Sequence, residues 1–263
     1  MTDSLFVAEI DASGMATITL DRPQTHNAFD ERAVAALTER LTQWGDDDSV
    51  RAVVVAARGE SFCAGADVAW MRRAAAFSEA ENVADASALA ELLRVLNTLP
   101  KPTVALVQGP AYGGGVGLVA CCDIVLAVRH ARFQFSEVRL GLIPAVIAPY
   151  AIAAIGARQA RRYFLTAEPM GAEEALRLGL VHELLDDVGA LAKARERIVG
   201  ALAAAAPGAV AEAKALIAAL AGRPIEASLI ETTARRIAAR RASPEAREGL
   251  SAFLEKRPPR WVS

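Results

Sequence analysis

The sequence predicts an α/β fold with an all-helical C-terminal region, and three observations carry that expectation. Short, continuously apolar runs at Val53-Val54-Val55, Thr103 to Val107 and Ile124 to Val128 read as strands covered on both faces. Helical patterns separate these runs, which calls for crossover connections and a parallel sheet. After about Leu185 no strand signal remains, and the chain becomes helices divided by Pro and Gly.

The chain opens with two alternating runs, Leu5 to Ile10 and Met15 to Leu20, about the turn Asp11-Ala12-Ser13-Gly14, a β-hairpin signal. Asp30 reads as the N-cap of a helix to about Trp44, with Ala33, Leu37, Leu41 and Trp44 on one face. A second helix runs from about Glu79 to Leu99 and stops at Pro100. Gly113-Gly114-Gly115 leads into a small-residue helix to about Cys122. These are ββα-type units without a strict sequence repeat. Later helices are predicted from Val188, Pro207, Pro224 and Pro244, each proline suiting a first helical turn. The chain thus divides into a core over 1–200 and a helical region over 201–263, the latter a candidate for packing on a neighbouring subunit.

Composition narrows the function. Of 263 residues, 53% are hydrophobic and 23% charged, the balance of a globular chain able to bury a sizeable core. A net charge of −2, from 29 basic and 31 acidic residues, gives no electrostatic reason to expect nucleic acid or an anionic membrane as partner. Cys63, Cys121 and Cys122 lack the spacing of a disulfide framework or a zinc knuckle, so buried free thiols and no metal are expected. No secretory leader or membrane-spanning run is visible, and a cytoplasmic location is the expectation. There is no GxSxG, and His26, His130 and His182 show no evident serine partner, which disfavours a serine hydrolase.

Three segments can carry chemistry. Ser61-Phe62-Cys63-Ala64-Gly65-Ala66-Asp67 follows a strand; its small residues let a ligand approach the main chain, although alone it is equally a strand-to-helix turn capped by Asp67. Gln108 to Gly115 opens a helix with three bare glycines, leaving its first amides accessible to negative charge. Tyr112, beside them, is a candidate for shaping an adjoining pocket. Phe135-Ser136-Glu137-Val138-Arg139 sets a carboxylate in an apolar stretch, where burial raises its pKa, a salt bridge to Arg139 or a helix cap being the plainer alternative. Together, two loops offer amides to one carbonyl oxygen and a third offers a carboxylate to the neighbouring carbon. A thioester enolate needs that combination.

These segments, with His26-Asn27-Ala28 before them and Glu248 to Arg257 after them, resemble the crotonase (enoyl-CoA hydratase/isomerase) superfamily in order and over nearly the whole chain. The resemblance implies a crotonase-like spiral of ββα units topped by a C-terminal helical trimerisation region, in a homotrimer or a dimer of trimers. It implies that the amides of Ala66 and Gly114 form an oxyanion hole and that Glu137 is the catalytic carboxylate. It places Ala28, Ala64, Asp67 and Val68 along a CoA channel, and Phe253 and Lys256 against the CoA of a neighbouring subunit. Coenzyme A enters as part of an acyl-CoA substrate, with no permanently bound cofactor. The expected activity is that of a lyase adding water to a 2-enoyl-CoA. A double-bond isomerase is the alternative, and RNA binding through Arg235-Arg236 and Arg240-Arg241 a minor one.

The family's first glutamate is missing: Gly117 stands in its place. Ala145-Val146-Ile147-Ala148-Pro149 also stands where many members are glycine-rich. Both departures resemble a bacterial branch acting on branched diacid thioesters such as 3-methylglutaconyl-CoA.

Overall fold

A computed structural model describes residues 5–262. β1 (Phe6–Ile10) and β2 (Met15–Leu20) form the antiparallel hairpin, pairing Phe6 with Leu20. Asp11 shapes its turn by accepting from the Ser13 and Met15 amides at 2.8 and 3.1 Å. α1 (Glu31–Asp46) is capped by the Asp30 carboxylate, which accepts from Ala33 N at 2.9 Å, and it buries Ala33, Val34, Leu37, Leu41 and Trp44. After β3 (Ala52–Ala57) come α2 (Val68–Ala74) and α3 (Glu79–Thr98). A Ser78/Glu81 capping box starts α3, whose last two turns bury Leu92, Leu93, Val95 and Leu96.

Next are β4 (Thr103–Val107), β5 (Ala111–Tyr112), α4 (Gly114–Cys121), β6 (Ile124–Val128), β7 (Arg132–Gln134) and α5 (Ala148–Thr166). α5 is broken at Gly156, whose φ of 76° and ψ of 152° are not helical. β8 (Met170–Gly171), α6 (Ala172–Leu178) and β9 (Glu183–Leu185) complete the sheets. The larger sheet has the order β1-β2-β3-β4-β6-β9, antiparallel only at β1-β2. A second sheet, β5-β7-β8, runs along the loops that leave the first one. Its strands of two and three residues carry no periodicity for a sequence to display.

β4 is buried at every residue, as its unbroken apolar run requires. Thr103, its polar member, donates through N and Oγ1 to the Asp123 carboxylate at 2.8 and 2.9 Å. Asp123 follows α4 directly and also receives Lys214 Nζ at 2.7 Å, so it joins strand, helix end and helical tail rather than serving chemistry.

The tail comprises α7 (Val188–Ala204), which runs through residue 200, α8 (Pro207–Leu220), α9 (Ala227–Arg241) and α10 (Pro244–Glu255). Pro207 and Pro244 occupy first helical turns; Pro224 does not, contrary to expectation. Glu226 is extended, with φ −118° and ψ 171°, and caps α9. Pro224 therefore lies beyond the end of α8, where a proline blocks continuation of the helix. Arg51 fastens the tail to the core through the carbonyls of Trp261, Ala203 and Ala205 at 3.0, 3.1 and 2.8 Å. Among the described residues no single helix is long and apolar enough to cross a membrane; α7 and α8 pass that test only as a pair bent by 104°.

Candidate active site

The loops after β3, β4 and β7 converge. Phe62 N donates to Pro110 O at 3.0 Å and Tyr112 N to Cys63 O at 2.9 Å, lacing the first loop to the second. Bridges pair Phe29 with Ala66 and Cys63 with Ala111. A Cβ added at Gly65 would stand 2.8 Å from Tyr112 O and 3.4 Å from Gly114 N, so the backbone beside Ala66 touches the start of α4.

Two amides are left free by this lacing. Phe29 N donates to Gly65 O and Asp67 N to Phe29 O, both at 2.9 Å, and the Ala66 amide between them enters neither bond. Gly114 is the first residue of α4, one of the positions whose N–H has no intrahelical partner. Among the described residues neither amide donates to a protein acceptor. The positive end of the α4 dipole stands behind the second.

Glu137 opens a 3-10 turn, Glu137–Leu140, ended by Gly141 in the left-handed region. Its carboxylate lies against Gly113: a Cβ there would meet Oε1 at 3.2 Å and Cδ at 3.7 Å. Gly113 has φ 48° and ψ −118°, a conformation other residues avoid, so the backbone shape there calls for glycine, and an added Cβ would also crowd the carboxylate. Oε2 is buried without a hydrogen-bond partner. Burial pushes the Glu137 pKa above the ordinary 4.5, against a smaller opposing effect of its own backbone amide. No ion pair to Arg139 forms among the described residues, so the salt-bridge alternative for this carboxylate falls away. A desolvated carboxylate with a free oxygen is equipped to accept and return a proton.

The place of the absent glutamate is filled. A Cβ at Gly117 would fall 2.4 Å from Ile147 Cγ2 and 3.5 Å from Leu93 Cδ1. Ile147, 2% exposed, is the N-cap of α5, and Leu93 is fully buried. The sequence marked the Ala145–Pro149 loop as altered, but the contact linking Ile147 to Gly117 has no local signature.

Beside these amides, Ala64 N donates to His26 O at 2.9 Å, which sets Ala28 and Ala64 on neighbouring backbone segments. Asp67 caps α2 by accepting from Ala69 N at 2.8 Å and pairs with Arg22 at 3.5 Å. Arg22, which the sequence reading passed over, also reaches Ala28 O at 3.1 Å and Asp30 at 3.7 Å. Val68 is exposed next to it. Phe253 is on α10 and Lys256 is its C-cap residue; α10 packs on α8 and α9, and Phe253 is 79% exposed.

His26 does have a serine neighbour, contrary to expectation: its Nδ1 lies 3.0 Å from Ser61 Oγ. They are 35 residues apart, and a left-handed His26-Asn27 pair at φ 51° and 57° swings the ring onto the first loop. Asn27 fixes that turn by donating to Arg58 O and Ser61 O at 2.7 and 2.8 Å. His182, exposed, accepts from Val125 N at 3.0 Å through Nδ1. The three cysteines are free and buried, and burial pushes the Cys63 and Cys122 thiols up to about 12, which makes them inert. Arg235 and Arg240 are paired with Glu231 and Glu245.

A parallel sheet whose loops bring two free amides and a desolvated carboxylate together is the architecture of the crotonase superfamily. The enoyl-CoA hydratase/isomerase family model matches residues 11–263, and the chain belongs to that family. It is similar to a solved enoyl-CoA hydratase from Shewanella pealeana, at 42% identity and a TM-score of 0.95 over 99% of this chain and 97% of that one. It also resembles Pseudomonas aeruginosa AtuE, at 39% identity and a TM-score of 0.92 over 99% and 100% of the two chains. A crotonyl-CoA hydratase from Syntrophomonas wolfei is 31% identical over 254 residues, covering 95% of each.

Proposed function

We propose that this protein is a hydro-lyase adding water to a 2-enoyl-CoA, with Glu137 as its one catalytic carboxylate. The observation that carries the reading is the free, buried Oε2 of Glu137 beside Gly113, at the head of a helix with an unused first amide. The thioester oxygen accepts from Ala66 N and Gly114 N, so negative charge developing on it is stabilised; losing one such donor costs on the order of 3 kcal/mol. Glu137 takes a proton from water as the water oxygen bonds to Cβ, and the electron pair of the Cα=Cβ bond moves into the enolate. The same proton, returned to Cα, regenerates the carboxylate and leaves a 3-hydroxyacyl-CoA.

Ala28, Ala64, Asp67 and Val68 hold the CoA, mainly through backbone atoms. Coenzyme A comes and goes with the substrate, and no resident cofactor takes part. Phe253 and Lys256 reach a neighbouring subunit's CoA within a homotrimer or dimer of trimers, which the exposure of Phe253 favours. The protein works in the cytoplasm, on a branched glutaconyl-type thioester whose own carboxylate, or a water it holds, replaces part of the missing glutamate.

Isomerisation is the second reading, because Ile147 fills the space of a second carboxylate and one carboxylate suffices to shuttle a proton between two carbons. Crotonyl-CoA and 3-methylglutaconyl-CoA, each incubated in 18O-water, separate the two. Label in a 3-hydroxyacyl product supports hydration. A shifted double bond without label replaces it with isomerisation, and a 3-methylglutaconyl-CoA rate no better than that of crotonyl-CoA removes the branched-diacid assignment.

A further inference from the structure

We infer that Ile147 is the stop that ends the acyl pocket, confining the enzyme to short acyl chains and sealing off a preformed cleft behind it. The inference deepens the hydratase reading and rests on it for the position of the thioester. Gly113, Gly117 and Ala120 follow one another along one face of α4, at about one helical turn per step, or roughly 5 Å. At the first step stands the Glu137 carboxylate; at the second, a Cβ would collide with Ile147 Cγ2 at 2.4 Å. An acyl chain lying along this bare face past Glu137 therefore meets Ile147, backed by Leu93.

A cleft of about 530 Å³ lies past that point, within the usual size of a ligand pocket. Asn97, Ala120 and Tyr150 are among its lining residues. They lie four, three and three residues after Leu93, Gly117 and Ile147, one helical turn onward on α3, α4 and α5 alike. The cleft begins where the three residues of the stop end. Its wall also includes Val119 and Val125, apolar surface that suits a hydrocarbon chain. At the step itself Gly117 adds no side chain, and the nearest atoms to an added Cβ belong to the side chains of Ile147 and Leu93.

The test compares kcat/KM for crotonyl-, 2-hexenoyl- and 2-decenoyl-CoA in wild type, Ile147→Ala and Ile147→Ala/Ala120→Phe. Calorimetric affinities for butyryl- and decanoyl-CoA are measured alongside, since they do not depend on turnover. One misplaced methylene changes kcat/KM by about tenfold or more. Wild type should disfavour 2-decenoyl-CoA by at least about a hundredfold, and Ile147→Ala should raise the decenoyl-to-crotonyl ratio at least about tenfold. Phenylalanine at position 120 should cancel that gain by closing the cleft again. Leu93→Ala opens the same stop from α3 and replaces Ile147→Ala if that variant does not fold. The inference is overturned if wild type accepts decenoyl- and decanoyl-CoA as well as the short chains, or if a folded, opened variant keeps the wild-type profile. Absence of turnover with every enoyl-CoA would remove the hydratase reading, while the two affinities would still decide whether the stop exists.

Discussion

Between β3 and β7 the chain packs loop on loop until added methyl groups have no room, whereas the helices after Pro207 barely pack at all. Gly115 lies so close to the first loop that a Cβ would stand 2.4 Å from Cys63 O. In contrast, α8 buries no residue, α9 only Leu229 and α10 only Ala252, while Ile217, Ile225 and Leu254 are 71%, 86% and 73% exposed. Both regions are apolar in sequence; they differ in where their partners are. The three loops meet within one chain because their glycines bring backbone to backbone. The helical region holds little core of its own, so within the chain its order depends on tethers to the sheet such as Arg51.

The largest effect that would sharpen this contrast is on chemistry without stability. Glu137→Gln should lower kcat by roughly 10²- to 10⁴-fold while leaving the melting temperature near wild type, because the carboxylate makes no side-chain bond that the amide would break. Enoyl-thioester absorbance and a thermal melt check both halves. The acid limb of kcat/KM should also lie above 4.5: burial raises this pKa, so the proton-accepting form is lost as pH falls at a higher pH than for a free glutamate. A limb at or below 4.5 would remove Glu137 as the base.

Stability changes rank next. Arg51→Ala removes three bonds from a guanidinium to main-chain carbonyls and should cost about 1.5–3 kcal/mol, read by denaturant unfolding. The loss should loosen the tail first, so proteolysis after Ala203 should precede global unfolding. Gly115→Ala should cost about 1–3 kcal/mol by overpacking the first two loops. Gly200→Ala goes the other way: Gly200 is exposed within α7 with nothing within 4 Å of an added Cβ, so alanine should stabilise by about 0.5–1 kcal/mol. A loss at position 200 equal to that at 115 would show that an added methyl is tolerated no better on an open helix face than between the loops.

Much of this was legible in the sequence where the determining interaction is local. The hairpin turn is shaped by Asp11 and Gly14, and α1 and α2 start at the aspartates that cap them, because a cap acts within three residues. The continuous apolar runs became β3, β4 and β6 since burial on both faces writes itself into every residue. The three loops were readable as candidates because glycines and a lone carboxylate stand out among apolar neighbours. The small sheet was not, its strands being too short to alternate. Neither was the His26–Ser61 contact, which bridges 35 residues through two left-handed backbones. Pro224 misled because proline marks the residue after one helix as readily as the start of the next.

The close fit of Ile147 onto Gly117 has a bearing on how such sites diverge. A glutamate introduced at 117 alone meets a methyl at 2.4 Å, and a valine at 147 still carries that methyl. That methyl goes only when position 147 loses its Cγ2 branch; a residue cut back to the β-carbon still leaves that carbon 3.2 Å from the added one, and by itself it opens a cavity costing about 2–5 kcal/mol. The order is constrained: position 147 must lose its Cγ2 branch before the second acid can arrive. The two positions form a mutational ratchet, in which a lineage that has filled this space with a branched hydrocarbon regains an acid at 117 only after position 147 has changed first.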